Sequence, residues 1–388
     1  MKQYDIDIVV SYKYILNFSK NNGGNNFLIN IAINGFGRIG KNIARLLLRN
    51  PELRSNINLV AINDLGEISS NAHLLKHDSV HGKSFELIST SNDSINVDGK
   101  EIFYSSFKDP SALPWKELNI DIVLECSGVF TSKELAYAHI DAGAKRVIVS
   151  APTTNADKTI VMGVNQNELS PKDLIISNAS CTTNCLAPIA MVLNNLFGIK
   201  SGIINTIHAY TNDQNLLDMS HSDLYRARAT NSSIIPTKTG AAKAISLVIP
   251  ELSGKLTGIA TRVPVQNVSM LDLTVTLEKD VTIDLIKKSL KDASANELKN
   301  ILSVNSEPLV SIDFNQNTAS SIIDTNFIEK VGNQYKLIAW YDNEWAFSSR
   351  MLDLALFIDN FLEKEDLPSS YSFVAGHKAQ NKSESIVA

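Results

Sequence analysis

The chain has 388 residues, a formal net charge of -5, a pI near 5.8, 44% hydrophobic residues and 20% charged ones. That length suggests about two or three domains with a large core, in the balance of an ordinary globular protein. The acidic charge argues against a general nucleic-acid surface, which needs a basic patch, and no apolar run reaches the roughly 18 residues of a membrane helix. Three cysteines, Cys126, Cys181 and Cys185, are too sparse for a disulfide framework and suggest a reducing, cytoplasmic setting.

In chain order, Met1 to Phe27 carries apolar pieces such as Ile8-Val9-Val10, broken by Asp5, Asp7, Lys13 and Lys20. It lacks the charged-then-apolar-then-small order of a signal peptide, so a disordered extension or an early start codon is expected. After the polar stretch Asn21 to Asn26, Leu28 to Asn34 reads as an apolar strand. A glycine turn follows, then a helix from Arg38 to Asn50 with Ile39, Ile43, Leu46 and Leu47 on one face, and a buried-type strand from Ile57 to Asn63. Strand, helix and strand with short links predict a parallel βαβ unit. Ile120 to Glu125 is expected as a strand, Ser132 to Ala142 as a helix, and Arg146 to Ser150 as a strand. A helix from about Thr182 to Phe197 leads into Gly202 to Ala209, Thr257 to Pro264 and Val268 to Glu278, long antiparallel-capable strands. Thr282 caps an expected helix to Ala293, and Asp353 to Leu362 reads as a final amphipathic helix before a polar, disordered tail.

Gly35-Phe36-Gly37-Arg38-Ile39-Gly40 is G-x-G-x-x-G between a strand and a helix. Gly35 permits the tight turn, Gly37 lets backbone approach a pyrophosphate, and Gly40 lets helix pack on strand. Free N–H groups at the helix start suit phosphate. Asp64 closes the next strand, about where an acid holds the adenosine ribose hydroxyls, and its charge favours NAD over a 2′-phosphorylated cofactor.

Ser180-Cys181-Thr182-Thr183-Asn184-Cys185 lies where an extended segment becomes a helix. A thiolate there gains from the dipole and free N–H groups, and that position by itself is a reason to look for a reactive thiol. Cys185, one helical turn on, should pack beneath. A zinc site is poorly supported, because closer spacing and further ligands are wanted. From the residues alone, a reactive thiol and an inert buried cysteine both stay open. His73, His77 and His81 are four apart but show no carboxylate or cysteine partner, so no metal is expected.

Around Cys181 the run Ser177 to Pro188 resembles a signature of the glyceraldehyde-3-phosphate dehydrogenase family, phosphorylating and bacterial-type. Asn34 to Gly40, His208 to Gln214, Ile235 to Gly240, Arg262-Val263-Pro264 and Trp340 to Glu344 match in the same order, so the resemblance spans about Leu28 to Ile358. It implies an α/β protein: a Rossmann-type doubly wound NAD-binding domain, residues 28–180 with a C-terminal helix over 344–365, plus an α+β catalytic domain, residues 181–343, with a mixed, largely antiparallel sheet. Residues 1–27 and 366–388 are expected to be disordered.

The resemblance also implies chemistry. Cys181 attacks the aldehyde of glyceraldehyde 3-phosphate and His208 serves as base. Hydride goes to NAD, and inorganic phosphate releases the thioester as an acyl phosphate. Thr211, Asp213, Arg226 and Arg262 would serve the substrate phosphate; Ser180, Thr182, Thr239 and Gly240 the attacking one. Asn343 would fix the nicotinamide carboxamide, with Ser127 and Lys108 lining the cofactor site alongside Gly35, Gly37, Arg38, Ile39, Gly40 and Asp64. A homotetramer is implied.

Some residues depart from the family pattern. Ala346 stands for a usual glycine and Phe347 for a frequent tyrosine, which would shift a loop near the nicotinamide. Met219-Ser220 replaces Leu-Pro, a change shared with NADP-using relatives; Asp64 opposes a 2′-phosphate, so NAD is kept. Arg228 reads as a solvated charge, and Trp115 and Trp340 as packing residues. The rival activities are an erythrose-4-phosphate dehydrogenase and a non-catalytic NAD-binding interaction protein.

Overall fold

The computed structural model describes residues 28–365; the expectations for 1–27 and 366–388 lie outside them. Two sheets organise the chain. The first runs, edge to edge, Lys158–Thr159, Ile175–Ser177, Arg146–Val149, Ile122–Glu125, Ile29–Asn34, Ile57–Asn63, Lys100–Ser105, Ser94–Val97 and Ile88–Thr90. Its neighbours pair in parallel from Lys158–Thr159 through Lys100–Ser105, and the last two strands join antiparallel. The parallel strands are almost continuously apolar and buried because both faces are covered, as in Ile122–Glu125 and Arg146–Val149. Strand order reverses between Ile29–Asn34 and Ile122–Glu125, and the crevice past the carboxyl ends at such a switch point is where α/β sheets hold ligands.

The second sheet runs Ile235–Lys238, Leu256–Val263, Ile199–Ala209, Ser269–Leu277, Gln334–Tyr341, Ser321–Val331 and Leu302–Asn305. Alternate residues of Ser269–Leu277 are buried, the two-residue period of a sheet with one covered face. Cys181–Phe197, Ala241–Val248 and Ile283–Ala295 supply helical cover. Thr282 caps the last of these by accepting from the Leu285 amide. The sheet is mixed: four pairs are antiparallel, but Ile199–Ala209 lies parallel to Leu256–Val263, and Leu302–Asn305 parallel to Ser321–Val331. β-propensity could not distinguish those orientations, because it reports only a pleated, half-buried surface.

Two helices differ from expectation. The segment from Ser132 to Ala142 forms two four-residue pieces, Lys133–Ala136 and Ala138–Asp141, rather than one helix. The final helix starts at Trp345, within a residue of the 344–365 span that the resemblance implies but eight residues before the Asp353 read from the apolar pattern. The Asp342 carboxylate accepts from the amides of Glu344 and Trp345, which caps this helix. Ala346 and Phe347 are therefore buried helical residues, not loop residues. Alanine in place of glycine there favours the helix rather than shifting a loop. This helix packs along Arg38–Arg49 and so returns to the first sheet.

Candidate active site

The glycine turn is built by close approach. Gly35 has φ +91°, and a Cβ on it would lie 2.4 Å from the backbone of Ser127; one on Gly40 would lie 2.4 Å from the Gly35 carbonyl. Gly37 faces open space. The turn thus carries a cradle that side chains would fill, at the sheet's switch point, which fits a dinucleotide pyrophosphate. Asp64 accepts from the Phe36 amide at 2.7 Å, the Gly66 amide at 2.8 Å and Asn71 at 2.9 Å. Partial burial pushes this carboxyl up, but those bonds and Lys41 hold it below its ordinary value, so the carboxylate is present to accept ribose hydroxyls.

Arg38 and Ile39 follow the turn. The Arg38 guanidinium is committed within the protein: it donates to Asp78 at 2.5 Å and to Glu344 at 2.9 Å and 2.5 Å. What Arg38 has left for a cofactor is its main chain. Lys108 is exposed beyond the strand Lys100–Ser105, on the same edge of the sheet. His81 is buried against Glu344 and Asn42, while His73 and His77 are exposed with their rings 4.8 Å apart.

Cys181 begins the helix Cys181–Phe197, which follows the carboxyl end of Ile175–Ser177. The chain turns there through Ala179, a buried residue in the left-handed region with φ +56°. Such backbone costs about 1–3 kcal/mol and is held only by well-determined surroundings. Ser180 caps the helix, accepting from the Thr183 amide at 3.1 Å. Cys185 is buried and its thiol reaches Ser321 at 3.5 Å, away from the site.

His208 comes from the second sheet, near the end of Ile199–Ala209, and its Nε2 lies 3.4 Å from Cys181 Sγ. Arg262 is its register partner on the parallel neighbour, so the two side chains share a face. Arg262 Nη1 is 2.6 Å from His208 Nδ1 and donates to the Ala209 carbonyl at 2.8 Å. His208 Nδ1 is also 2.6 Å from that carbonyl. Arg262 Nε is buried with no partner, a donor aimed at nothing in the chain and suited to an anion. Tyr341, which the sequence reading passed over, joins the halves: its hydroxyl meets Thr182 Oγ1 at 2.9 Å and Thr206 Oγ1 at 2.7 Å, and its ring stands edge-on to His208.

Burial pushes the Cys181 thiol above its ordinary value, against the pull of Arg262 and of Thr182. Burial also pushes the His208 imidazole down to about 3, with Arg262 adding to the shift. The helix terminus alone therefore does not ionise the thiol: desolvation is the larger effect. Burial thus favours the neutral form of both groups, and the geometry that matters is their 3.4 Å approach.

The expected phosphate residues divide. Arg226 pairs with Asp213 and donates to Thr237 at 3.0 Å. Asp213 thus orients Arg226; a carboxylate would repel a phosphate if it touched one. Thr182 Oγ1 also meets the Tyr341 hydroxyl, and its backbone N–H opens at the helix start. Thr239 accepts from the Ala241 amide at 3.2 Å, and Gly240, beside it, faces open space. Thr211 is half-buried beside Gln214, whose side chain accepts from its amide. Arg228 pairs with Asp218 at the surface, away from these residues, and Ser220 is exposed. Asn343 is buried, and its carbonyl accepts from Ser269 at 2.8 Å, which leaves its amide N–H groups to donate to a ligand.

A switch-point glycine turn on the first sheet, with a thiol and an imidazole brought within 3.4 Å where the two sheets meet, is the arrangement of a dinucleotide-dependent oxidoreductase. Residues 29–133 match the family model for the glyceraldehyde 3-phosphate dehydrogenase NAD binding domain, and residues 180–343 the model for its C-terminal domain. The chain is 53% identical over 328 residues to glyceraldehyde-3-phosphate dehydrogenase of Pseudomonas aeruginosa, covering 84% of this chain and 97% of that one. It is 53% identical over 334 residues to that of Geobacillus stearothermophilus, covering 85% and 98%, and 54% identical over 331 residues to glyceraldehyde-3-phosphate dehydrogenase 2 of a Nostoc species, covering 84% and 98%. This chain belongs to the glyceraldehyde-3-phosphate dehydrogenase family, and its cofactor is NAD.

Proposed function

We propose that this chain converts D-glyceraldehyde 3-phosphate, NAD and inorganic phosphate to 1,3-bisphosphoglycerate, NADH and a proton, with Cys181 as nucleophile and His208 as base. The observation that carries this is the 3.4 Å approach of His208 Nε2 to the Cys181 sulfur at the carboxyl edge of the dinucleotide-type sheet.

With its Nδ1 hydrogen on the Ala209 carbonyl, which Arg262 Nη1 also serves, His208 would turn the Nε2 lone pair toward the sulfur. His208 takes the thiol proton as sulfur attacks the aldehyde carbon and hands it to the alkoxide that forms, giving a hemithioacetal on Cys181 and a neutral imidazole again. It next takes the hydroxyl proton of that adduct as the carbon is oxidised to a thioester. NAD, when bound, supplies the hydride acceptor. Gly35, Gly37, Gly40 and the main chain of Arg38 and Ile39 would hold its pyrophosphate, Asp64 its adenosine ribose, Asn343 its carboxamide, and Ser127 and Lys108 its flanks. Phosphate oxygen then attacks the thioester carbon, the C–S bond breaks, and Cys181 leaves as thiolate. Arg262 and Arg226 would neutralise the substrate phosphate with Thr211 alongside, while Ser180, Thr239, Gly240 and the Thr182 amide would serve the attacking phosphate.

Residues 28–180 with 344–365 would form the cofactor unit and 181–343 the catalytic unit, in a cytoplasmic homotetramer. The described residues contain no helix long and apolar enough to cross a membrane. Steady-state NADH formation tests the reading. Glyceraldehyde 3-phosphate with NAD should turn over only when phosphate is present, and faster than with NADP or with erythrose 4-phosphate. Faster oxidation of erythrose 4-phosphate, or turnover indifferent to phosphate, would overturn it.

A further inference from the structure

The last residues of four adjacent parallel strands, Glu125, Asn34, Asn63 and Ser105, are all polar and all buried, with relative exposures of 1%, 3%, 4% and 6%. Their side chains join across the sheet. Ser105 donates to the Asn63 carbonyl at 3.0 Å, Asn63 to the Asn34 carbonyl at 2.8 Å, and Asn34 to Glu125 Oε2 at 2.5 Å. The line continues off the sheet edge: His139 Nε2 lies 3.0 Å from the same Oε2, and Trp115 donates to His139 Nδ1 at 3.0 Å.

The donor sense of this ladder is fixed. Indole N–H can only donate, so His139 Nδ1 must accept and Nε2 must carry the hydrogen toward Glu125. At the other end Asn63 grips both polar groups of Phe107, accepting from its amide at 2.8 Å and donating to its carbonyl at 2.9 Å. From rung to rung the donors therefore run toward the Glu125 carboxylate, whose second oxygen accepts from the Ser127 amide at 2.7 Å and the Ser127 hydroxyl at 2.5 Å. Four donors fill one buried carboxylate.

Each rung sits directly before a loop of the cofactor edge: Asn34 before Gly35, Asn63 before Asp64, Ser105 before Phe107 and Lys108, Glu125 before Ser127. Ser127 in turn is the residue that closes on Gly35. A backbone ladder fixes strand spacing only as far as the strands extend; past their ends the loops need another tie. We propose that Trp115, His139, Glu125, Asn34, Asn63 and Ser105 are positioning residues for the dinucleotide, a hydrogen-bonded ladder that sets the spacing of the four cofactor loops. It rests on NAD binding at the glycine turn and assigns a role to residues that make no contact with the chemistry of Cys181. It also fixes Ser127: its hydroxyl proton goes to Glu125, so toward a ligand this oxygen only accepts, which suits a ribose hydroxyl and not a phosphate oxygen.

The test is NAD titration of the cofactor-free protein by calorimetry, with steady-state kinetics and iodoacetamide alkylation of Cys181 measured beside it. His139→Leu leaves Glu125 short of one donor and Trp115 of its acceptor; Glu125→Gln turns an amide N–H toward donors. Both should weaken NAD binding by about tenfold, raise KM for NAD in step, and leave kcat at saturating NAD and the alkylation rate within about twofold. His139→Gln, which can both accept and donate, should restore binding to within about threefold of wild type. Folded His139→Leu with wild-type NAD affinity overturns the ladder, as does a Gln variant no better than the Leu one. If neither disruptive variant folds, the ladder is core structure alone and the proposal falls. Wild-type protein that fails to bind NAD would instead sink the cofactor reading on which the ladder rests.

Discussion

The two sheets approach the same reaction from opposite physical principles. At the carboxyl edge of the parallel sheet, the cofactor side is made of glycine backbone and the Asn63–Asn34–Glu125 line, whose buried side-chain groups have partners. At the end of the second sheet, the chemical side holds groups left deliberately short: a thiol pushed up by burial, an imidazole pushed down to about 3, and an arginine Nε with no partner. Binding needs a rigid mould, so satisfied polar groups serve it. Proton transfer and anion capture need groups held away from their preferred states, so desolvation and missing partners serve them. Two residues in the left-handed region, Ala179 and Val268, with φ +56° and +66°, lie next to the segments that carry Cys181 and Asn343's partner Ser269.

The comparison breaks most sharply at Cys181. Cys181→Ser should lower kcat by about 10⁴-fold or more, because a weak alcohol nucleophile replaces the sulfur. NAD affinity should stay within about twofold, since the mould lies on the other sheet. A variant that oxidised the aldehyde at the wild-type rate would end the covalent reading. His208→Asn should cost about 10²–10⁴ in kcat, a general-base effect, again with NAD binding kept. Loss of cofactor affinity in step with kcat would show that the two sides are not separable.

Arg262 gives a smaller, pH-dependent effect. Its charge is the leading influence holding the Cys181 thiol down against burial. A thiol reacts as thiolate, so alkylation rises as pH rises through its pKa. Arg262→Gln should therefore move the alkylation profile to higher pH: slower than wild type at pH 7, converging with it at high pH. Coincident profiles would remove Arg262 from the thiol's electrostatics. The smallest effect is structural. Ser180→Ala removes the cap on the Thr183 amide and should cost about 1 kcal/mol at the helix start, seen as a fall of about 2 °C or less in the thermal midpoint. A drop of many degrees would mean that Ser180 does more than cap.

The mould was the more legible half. Gly35, Gly37, Gly40 and Asp64 follow one another along a single βαβ unit, so spacing in the sequence is nearly spacing in space. The ladder beneath them was missed, although Asn34 and Asn63 visibly close successive strands; polar strand ends become a signal only when strand order is known. Around Cys181, residues alone left reactive and inert thiols open, and only the long family motifs singled out His208 and Arg262. The apolar pattern put the start of the final helix eight residues late, at Asp353, while the family resemblance put it at 344.

By itself the sequence determined the local matters: the strands and helix of the first βαβ unit, the glycine turn, the helix that starts near Cys181, and the acid that closes the second strand. Tertiary structure decided what depends on neighbours remote in the chain: that His208 and Arg262 lie side by side on parallel strands, that Asp213 is spent on Arg226, and that burial outweighs the helix terminus at the sulfur. The reason is that propensity and spacing act over a few residues, whereas desolvation and charge pairing act between whatever the fold brings within a few ångströms.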